Sequence, residues 1–457
     1  MNYQELIQSR QTVRLMDGFN PDSYWMPEQL KDFQAAIVRW AIRKGRSAIF
    51  ADTGLGKTLM QLSWAHIIQD HTDKPVLILS PLCVAQQTVA EGKKFGIDAD
   101  YIREPKLTNS RIHVTNYEML KNFDPSKYGG VVVDESSILK GLNGKIRKQI
   151  TDFAQEIQYR LSCTATPSPN DVMELGTQSE FLGVMSQTEM LAMFFIHDGS
   201  DTQKWRLKGH GAAKFWEWIA SWAVVIKKPS DLGFCDDGYD LPPLIIDEVI
   251  VETEADDGDL FVMPAQGLMD RNRARRDSIQ QRCEKAAEYL DIKEPTIAWC
   301  HLNDESELIS GLSGSSEITG SMKSEVKSEL MMGFSDGSVN SITTKPKIAG
   351  FGMNWQHCNH MVFVGLSDSF EAFYQAVRRC WRFGQTKPVH VTIVISDKEG
   401  AVLDNIKRKQ AANDLMTSEL VKITKQYILD DMRGSSTPSK QYMPTETFKA
   451  PKMGAVK

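Results

Sequence analysis

Short apolar runs alternate with stretches of helical periodicity along most of this chain. In the first half the runs are Ser47–Phe50, Pro75–Leu79, Arg111–Thr115, Val131–Val133 and Arg160–Cys163. In the second half they are Leu244–Val251, Thr296–Trp299, Glu317–Ile318, Ser341–Thr343, Met361–Val364 and Val389–Ile395. Runs that are apolar without alternation read as strands buried on both faces. Their interleaving with helical segments predicts parallel sheets covered by helices. Two such series predict an α/β fold of two parallel-sheet lobes.

The pattern divides the chain into a first lobe over 1–240, a second over 241–432 and a flexible tail over 433–457. Residues 171–228 read as a helical, aromatic-rich insertion carrying Trp205, Trp216, Trp218 and Trp222. Trp218 and Trp222 are four apart and share a helix face. Such a cluster serves either as a base-stacking platform or as subdomain packing, and packing is the commoner use. Asp236-Asp-Gly-Tyr-Asp-Leu-Pro-Pro243 has the Gly and Pro content of a linker between lobes. The tail is rich in Ser, Thr, Pro and Lys and is expected to be disordered.

Composition narrows the class. A chain of 457 residues with 41% hydrophobic residues supports two or three folded domains rather than one core. The seven cysteines, at 83, 163, 235, 283, 300, 358 and 380, show no paired spacing. That argues against a disulfide framework or a zinc ribbon and for a reducing compartment. His357-Cys358-Asn359-His360 is the one cluster with a metal-like look. No leader-like or membrane-length apolar span is evident, so a soluble cytoplasmic protein is expected. The net charge of −6 gives no bulk support for polyanion binding, so any such binding must be local. Basic clusters occur at Arg39, Arg43, Lys44 and Arg46, at Lys204, Arg206 and Lys208, and at Lys407, Arg408 and Lys409. Each on its own is more often a solvated face.

The sharpest chemical signal is Ala51-Asp-Thr-Gly-Leu-Gly-Lys57-Thr58, lying between an apolar run and a helical segment. Strand, glycine-rich turn, Lys-Thr and helix is the arrangement that cradles nucleotide phosphates. Gly54 and Gly56 let the backbone approach the phosphates, Lys57 adds a point charge, and Thr58 offers a hydroxyl to Mg²⁺. Downstream, Val131–Val133 runs into Asp134 and Glu135. Ligands of parallel sheets bind at the carboxyl ends of strands, which suits Asp134 to Mg²⁺ and Glu135 to an attacking water. Helix capping is the plainer reading of an acidic pair followed by serines. In the second half, Arg379 and Arg382 are spaced to leave one face of a helix and to stabilise charge on a γ-phosphate across a cleft.

Taken in order, these segments resemble the motor of superfamily-two helicases, most closely its Swi/Snf branch of DNA translocases. Leu30-Lys-Asp-Phe-Gln34 resembles the adenine-reading Q motif, and Ala51 to Thr58 is motif I. Leu79-Ser80-Pro81 resembles motif Ia, Thr115-Asn-Tyr-Glu-Met-Leu120 motif Ib, and Val133 to Lys140 motif II. Thr164 to Leu175 resembles motif III with the branch's extension. Ala298-Trp-Cys-His301 and Ile318-Thr-Gly-Ser321 resemble motif IV and its companion, and Gly350-Phe-Gly352-Met-Asn354 resembles motif V. Arg379-Cys-Trp-Arg382-Phe-Gly-Gln-Thr-Lys-Pro-Val389 resembles motif VI. The likeness runs from about residue 28 to 425. Departures are Ser136-Ser137 in place of Ala-His, Ala165 in place of Gly, and Lys347 at the motif V arginine.

The resemblance implies two RecA-like lobes with ATP and Mg²⁺ in the cleft. Lys57, Asp134, Glu135, Arg379 and Arg382 would be catalytic. Gln34, Thr53, Gly54, Leu55, Gly56, Lys57, Thr58, Gly352, Arg379 and Arg382 would hold the nucleotide, and Thr58 and Asp134 the Mg²⁺. Ser80, Pro81, Thr115, Thr166, Thr319, Thr344, Lys345 and Lys347 would contact nucleic acid. The expected activity is that of a monomeric ATP-dependent helicase or translocase on duplex or forked DNA. Its likeness to compact helicases of bacteriophages suggests a setting in replication or recombination. An ATP-gated nucleic-acid-binding module and an RNA helicase are the alternatives.

Overall fold

The computed structural model describes residues 18–432, apart from 106–109, 141–143, 169–170, 199–200, 254–267, 291–292 and 350–352. The expected tail thus lies outside the described residues. Helix α1 (Asp32–Lys44) opens with Asp32, closes with Arg43 and Lys44, and stops at Gly45 with φ 71°. These charges complement the helix dipole. Strand β1 (Arg46–Ala51) follows, then α2 (Lys57–Thr72), β2 (Val76–Ser80), α3 (Leu82–Lys94), β3 (Asp100–Tyr101), β4 (Ile112–Asn116), β5 (Gly130–Val133), α4 (Lys145–Gln155) and β6 (Tyr159–Thr164).

Every residue of β2, β5 and β6 is buried, as their unbroken apolar runs predict. After β6 come α5 (Leu175–Leu182), α6 (Gln187–Phe194), an antiparallel hairpin of β7 (Phe195–Asp198) and β8 (Asp201–Leu207), α7 (Ala212–Trp222) and β9 (Ala223–Ile226). The first sheet has the order β3-β4-β2-β5-β6-β1-β9, with all its pairings parallel.

The segment 171–228 is therefore not helical throughout. Its last four residues, Ala-Val-Val-Ile, are β-prone and apolar on both faces, and they complete the sheet beside β1. The tryptophans of α7 settle into the core. Trp218 and Trp222 are buried and meet edge to face at 5.5 Å, while Trp218 stacks on Phe194 at 5.5 Å. Packing, not a base-stacking platform, is their role.

The second lobe runs β10 (Leu244–Val251), α8 (Leu268–Asp277), α9 (Ile279–Ala287), β11 (Thr296–Trp299), α10 (Asn303–Ser313), β12 (Ser316–Ile318), α11 (Ser324–Asp336), β13 (Ser341–Thr344), α12 (Pro346–Ala349), β14 (His360–Val364), α13 (Phe370–Val377), β15 (Val389–Ser396) and α14 (Gly400–Met432). Its parallel sheet has the order β10-β15-β14-β11-β13-β12. The apolar run of β10 forms an edge, where Ile245, Ile246 and Ile250 are exposed. The fold class is the expected one, two parallel-sheet α/β lobes.

Helix α14 ties the lobes together. Val402, Leu403 and Ile406 lie in the core of the second lobe, whereas Met416 and Leu420 lie in a core cluster of the first with Trp218 and Trp222. Lys227 pairs with Asp414 at 2.8 Å along the same crossing. No helix among the described residues is long and apolar enough to cross a membrane.

Candidate active site

The phosphate-loop sequence folds as its residue types require. Gly54 and Gly56 take φ values of 88° and 78°, the left-handed region that favours glycine. A Cβ on Gly56 would lie 2.2 Å from Nε2 of Gln34, and one on Gly54 would lie 3.0 Å from the backbone nitrogen of Phe383. Lys57 begins α2 and Thr58 sits half-buried beside it. The Lys57 ammonium donates to the carbonyls of Ala51 at 2.8 Å and Asp52 at 3.2 Å. Burial pulls its pKa down, against the opposing pull of Glu135, Asp52 and Asp134.

Gln34 braces this loop from α1. Its Oε1 accepts from the Lys31 N–H at 2.9 Å, and its Nε2 donates to the Leu55 carbonyl at 2.8 Å. Both ends of the amide are thereby engaged within the protein.

Asp134 and Glu135 leave the carboxyl end of β5, as expected of a ligand-facing strand end. Asp134 is buried and accepts from Gln61 Nε2 at 2.7 Å. Its backbone carbonyl accepts from the Tyr117 hydroxyl. Burial and the neighbouring Glu135 push its carboxyl up to about 6, while Gln61 and Lys57 hold it down. Glu135 has φ 47°, in the left-handed region uncommon for a side chain of this kind. Its Oε2 lies 3.5 Å from Thr164 Oγ1 and 3.5 Å from Gln375 Nε2 of the second lobe.

These residues fit a Mg²⁺-nucleotide. The loop is closed so tightly that only glycine fits at two positions, and the lysine heads a helix, the frame in which backbone amides and a helix terminus receive phosphate. A buried carboxyl whose charge is disfavoured by burial and by a neighbouring carboxylate suits a divalent cation as partner.

The two expected arginines need correction. Helix α13 ends at Val377, so Arg379 and Arg382 lie in the turns beyond it, not on one helix face. They still converge. Arg379 donates to Met353 O at 3.0 Å and to Gln375 Oε1 at 3.0 Å, and Arg382 donates to the same Met353 carbonyl at 3.3 Å. Burial, then Arg379 and Arg378, bring the Arg382 guanidinium down to about 10. Gly352 and its motif neighbours Gly350 and Phe351 lie outside the described residues.

The arginine that crosses the cleft is Arg378. It pairs with Asp52 and donates to Thr53 Oγ1 at 2.6 Å. Nothing in the spacing of the motifs distinguishes it from its neighbour Arg379.

Comparison with known proteins is consistent with this geometry. Residues 282–384 match the helicase conserved C-terminal domain. A SWI/SNF-related matrix-associated actin-dependent regulator of chromatin, subfamily A-like protein 1, of Drosophila melanogaster is 24% identical over 436 residues, 84% of this chain and 55% of that protein. The chain is similar to the Swi/Snf type of superfamily-two helicases. Protein p41 of Acyrthosiphon pisum secondary endosymbiont phage 1 is 28% identical over 177 residues, 33% of this chain and 38% of that protein. The ATP-dependent DNA helicase DDM1 of Arabidopsis thaliana is 29% identical over 183 residues, 34% of this chain and 23% of that one. The matched stretches thus span well under two thirds of these relatives' lengths. The Swi2/Snf2 ATPase core of Sulfolobus solfataricus in complex with dsDNA aligns with a TM-score of 0.42 at 18% identity, over 92% of this chain and 99% of that one.

The residues expected to meet nucleic acid divide by exposure. Ser80, Thr115, Thr166 and Thr344 are buried. The Thr344 hydroxyl donates to Ile318 O at 3.1 Å. In this arrangement these four present neither backbone nor hydroxyl at the surface. Pro81, Thr319 and Lys345 are partly exposed and Lys347 is exposed, with Lys345 donating to Asn303. The basic clusters include several internal partners: Arg43 pairs with Asp22 at 3.2 Å, Lys208 donates to Met193 O at 2.9 Å, and Lys407 pairs with Glu248 at 2.6 Å.

Among the described residues no group of three His, Cys, Asp or Glu could hold a metal ion. The Cys358 thiol instead donates to Pro295 O at 3.1 Å, and His360 stacks on His390 at 5.1 Å.

Proposed function

We propose that this chain is an ATP-driven motor on DNA, in which lobe movement is coupled to hydrolysis in the cleft. The observation that carries the reading is the docking of α13 and its following turns on the phosphate loop, with Gln375 reaching Glu135. Hydrolysis chemistry on one lobe is thus in register with the arginine turn of the other.

The chain's own residues divide the work. When bound, ATP supplies a phosphoanhydride bond and Mg²⁺ a Lewis acid on its oxygens. Lys57 offsets phosphate charge, and Thr58 and Asp134 hold the cation. Gln34 and Leu55 keep the loop in shape around Thr53, Gly54 and Gly56. Glu135 orients a water and takes its proton, a role worth roughly 10²–10⁴-fold in rate. Arg379 and Arg382 supply positive charge from the second lobe as charge develops on the transferred phosphoryl group.

Movement requires a track. Pro81, Thr319, Lys345 and Lys347 are accessible for contacts to a nucleic-acid backbone. Such contacts are tolerant of sequence and weaken with salt. DNA is favoured over RNA because a relative 29% identical over 183 residues is named as a DNA helicase.

Steady-state ATP turnover without nucleic acid, and with duplex, forked and single-stranded DNA or RNA, tests the proposal. Stimulation by duplex or forked DNA is expected. Stimulation by RNA alone overturns the DNA assignment, and turnover indifferent to every nucleic acid overturns the motor.

A further inference from the structure

Several of the contacts between the lobes converge on one carboxylate, that of Asp52. Asp52 lies in the phosphate loop. Its Oδ2 pairs with Arg378, and its Oδ1 accepts from the Tyr374 hydroxyl and from the Thr53 N–H at 2.6 Å. Tyr374 and Arg378 are four residues apart at the end of α13, so one helical turn grips both oxygens. Arg378 also donates to Thr53 Oγ1 at 2.6 Å and to Thr53 O at 3.4 Å. Its guanidinium lies 4.8 Å from the Trp381 ring and 5.7 Å from the Tyr374 ring, and its side chain is 3% exposed. Trp381 is itself anchored, donating to Pro242 O of the linker at 2.7 Å.

We propose that Arg378 is a positioning residue for ATP turnover, which registers the second lobe on the phosphate loop through Asp52 and Thr53. The inference rests on the ATPase reading given above.

Four features favour it. The pair exists only while the lobes are docked, because Asp52 and Arg378 come from opposite walls. Both groups are largely withdrawn from water, so partial separation would leave a desolvated charge unpaired and the docking tends to be all or none. Arg379 directly follows Arg378 in the chain, so the grip of one fixes where the other stands. The loop has separate supports: the left-handed glycines and the Gln34 brace belong wholly to the first lobe. Loss of Arg378 therefore leaves a loop that still receives nucleotide but meets a misplaced second lobe.

The test is a cycle of Asp52→Asn, Arg378→Gln and the double variant in the full chain. ATP turnover with saturating duplex DNA gives kcat and KM separately, and a fluorescent ATP analogue gives affinity. Each single change is expected to lower kcat about tenfold or more, with KM and analogue affinity held within about threefold. The double variant is expected to lose no more than the worse single, the signature of two residues acting as a unit. Unchanged kcat, multiplicative losses, or losses confined to KM overturn the inference. Should the single variants fail to fold, Tyr374→Phe removes one hydrogen bond from the same carboxylate. It is expected to lower kcat about threefold at an unchanged melting temperature, and an unchanged kcat overturns the inference. A wild-type chain that turns over no ATP under any condition overturns the ATPase reading instead.

Discussion

Gln61 donates to Oδ1 of Asp134 at 2.7 Å, so this buried carboxylate has a neutral amide as its hydrogen-bonding partner. Its carboxyl is pushed up to about 6 from 3.8, chiefly by burial and then by Glu135. A carboxyl with a raised folded pKa contributes stability below its unfolded value, and that contribution is lost as pH rises through the folded value. Asp134 therefore strains the protein at neutral pH. Asp134→Asn should raise the free energy of unfolding at pH 7.5 by an amount on the order of 1–3 kcal/mol, and the melting temperature with it. The gain should vanish as pH falls from about 6 towards 4, and ATP turnover should be lost at all pH values. Melting curves across that range check the sign.

Lys57 and Glu135 separate binding from chemistry. Lys57→Ala should abolish turnover together with nucleotide affinity. Glu135→Gln should keep affinity while lowering turnover by roughly 10²-fold or more. A glutamine variant that hydrolyses at the native rate would remove Glu135 from the role of base.

Gln34 and Gly56 test the shape of the loop. Gly56→Ala places a Cβ 2.2 Å from Gln34 Nε2 at φ 78°, so nucleotide binding should be lost. Gln34→Ala empties that space but leaves the Lys31 N–H and the Leu55 carbonyl without their side-chain partner. It should raise KM for ATP about tenfold while kcat changes little. Steady-state kinetics distinguishes the two.

The second lobe holds a buried network of two arginines and two glutamates. Arg282 meets Glu305 at 2.8 Å and Glu399 at 3.3 Å, and Arg275 meets Glu399 at 3.1 Å, with side chains at most 7% exposed. Glu399→Gln removes one charge from a balanced set and should destabilise the chain by about 3–5 kcal/mol. Thermal or denaturant unfolding, followed by a probe in the second lobe, measures this.

The strands and the phosphate loop were legible in the sequence because each is local. Ser47–Phe50, Val131–Val133 and Thr296–Trp299 are buried on both faces, and such strands advertise themselves as unbroken apolar runs. Gly54 and Gly56 are required by local backbone geometry. What stayed hidden depends on distant partners. Ala223–Ile226 is too short to announce itself beside the helix that precedes it, and becomes a strand because the edge of β1 is open to it. Helix α14 crosses between lobes through Met416 and Leu420, which no periodicity could assign to one core or the other. Arg378 differs from Arg379 only in where the end of α13 points it, and that direction is set by the docking of the lobes.

Displacement of a triplex-forming strand from duplex DNA, followed with ATP and Mg²⁺ for the wild type and for Glu135→Gln, tests the central claim most directly. The account predicts ATP-dependent displacement by the wild type and none by the variant. A wild type whose ATP turnover is stimulated by DNA, yet which never displaces the third strand, would contradict the motor and leave a nucleotide-gated clamp.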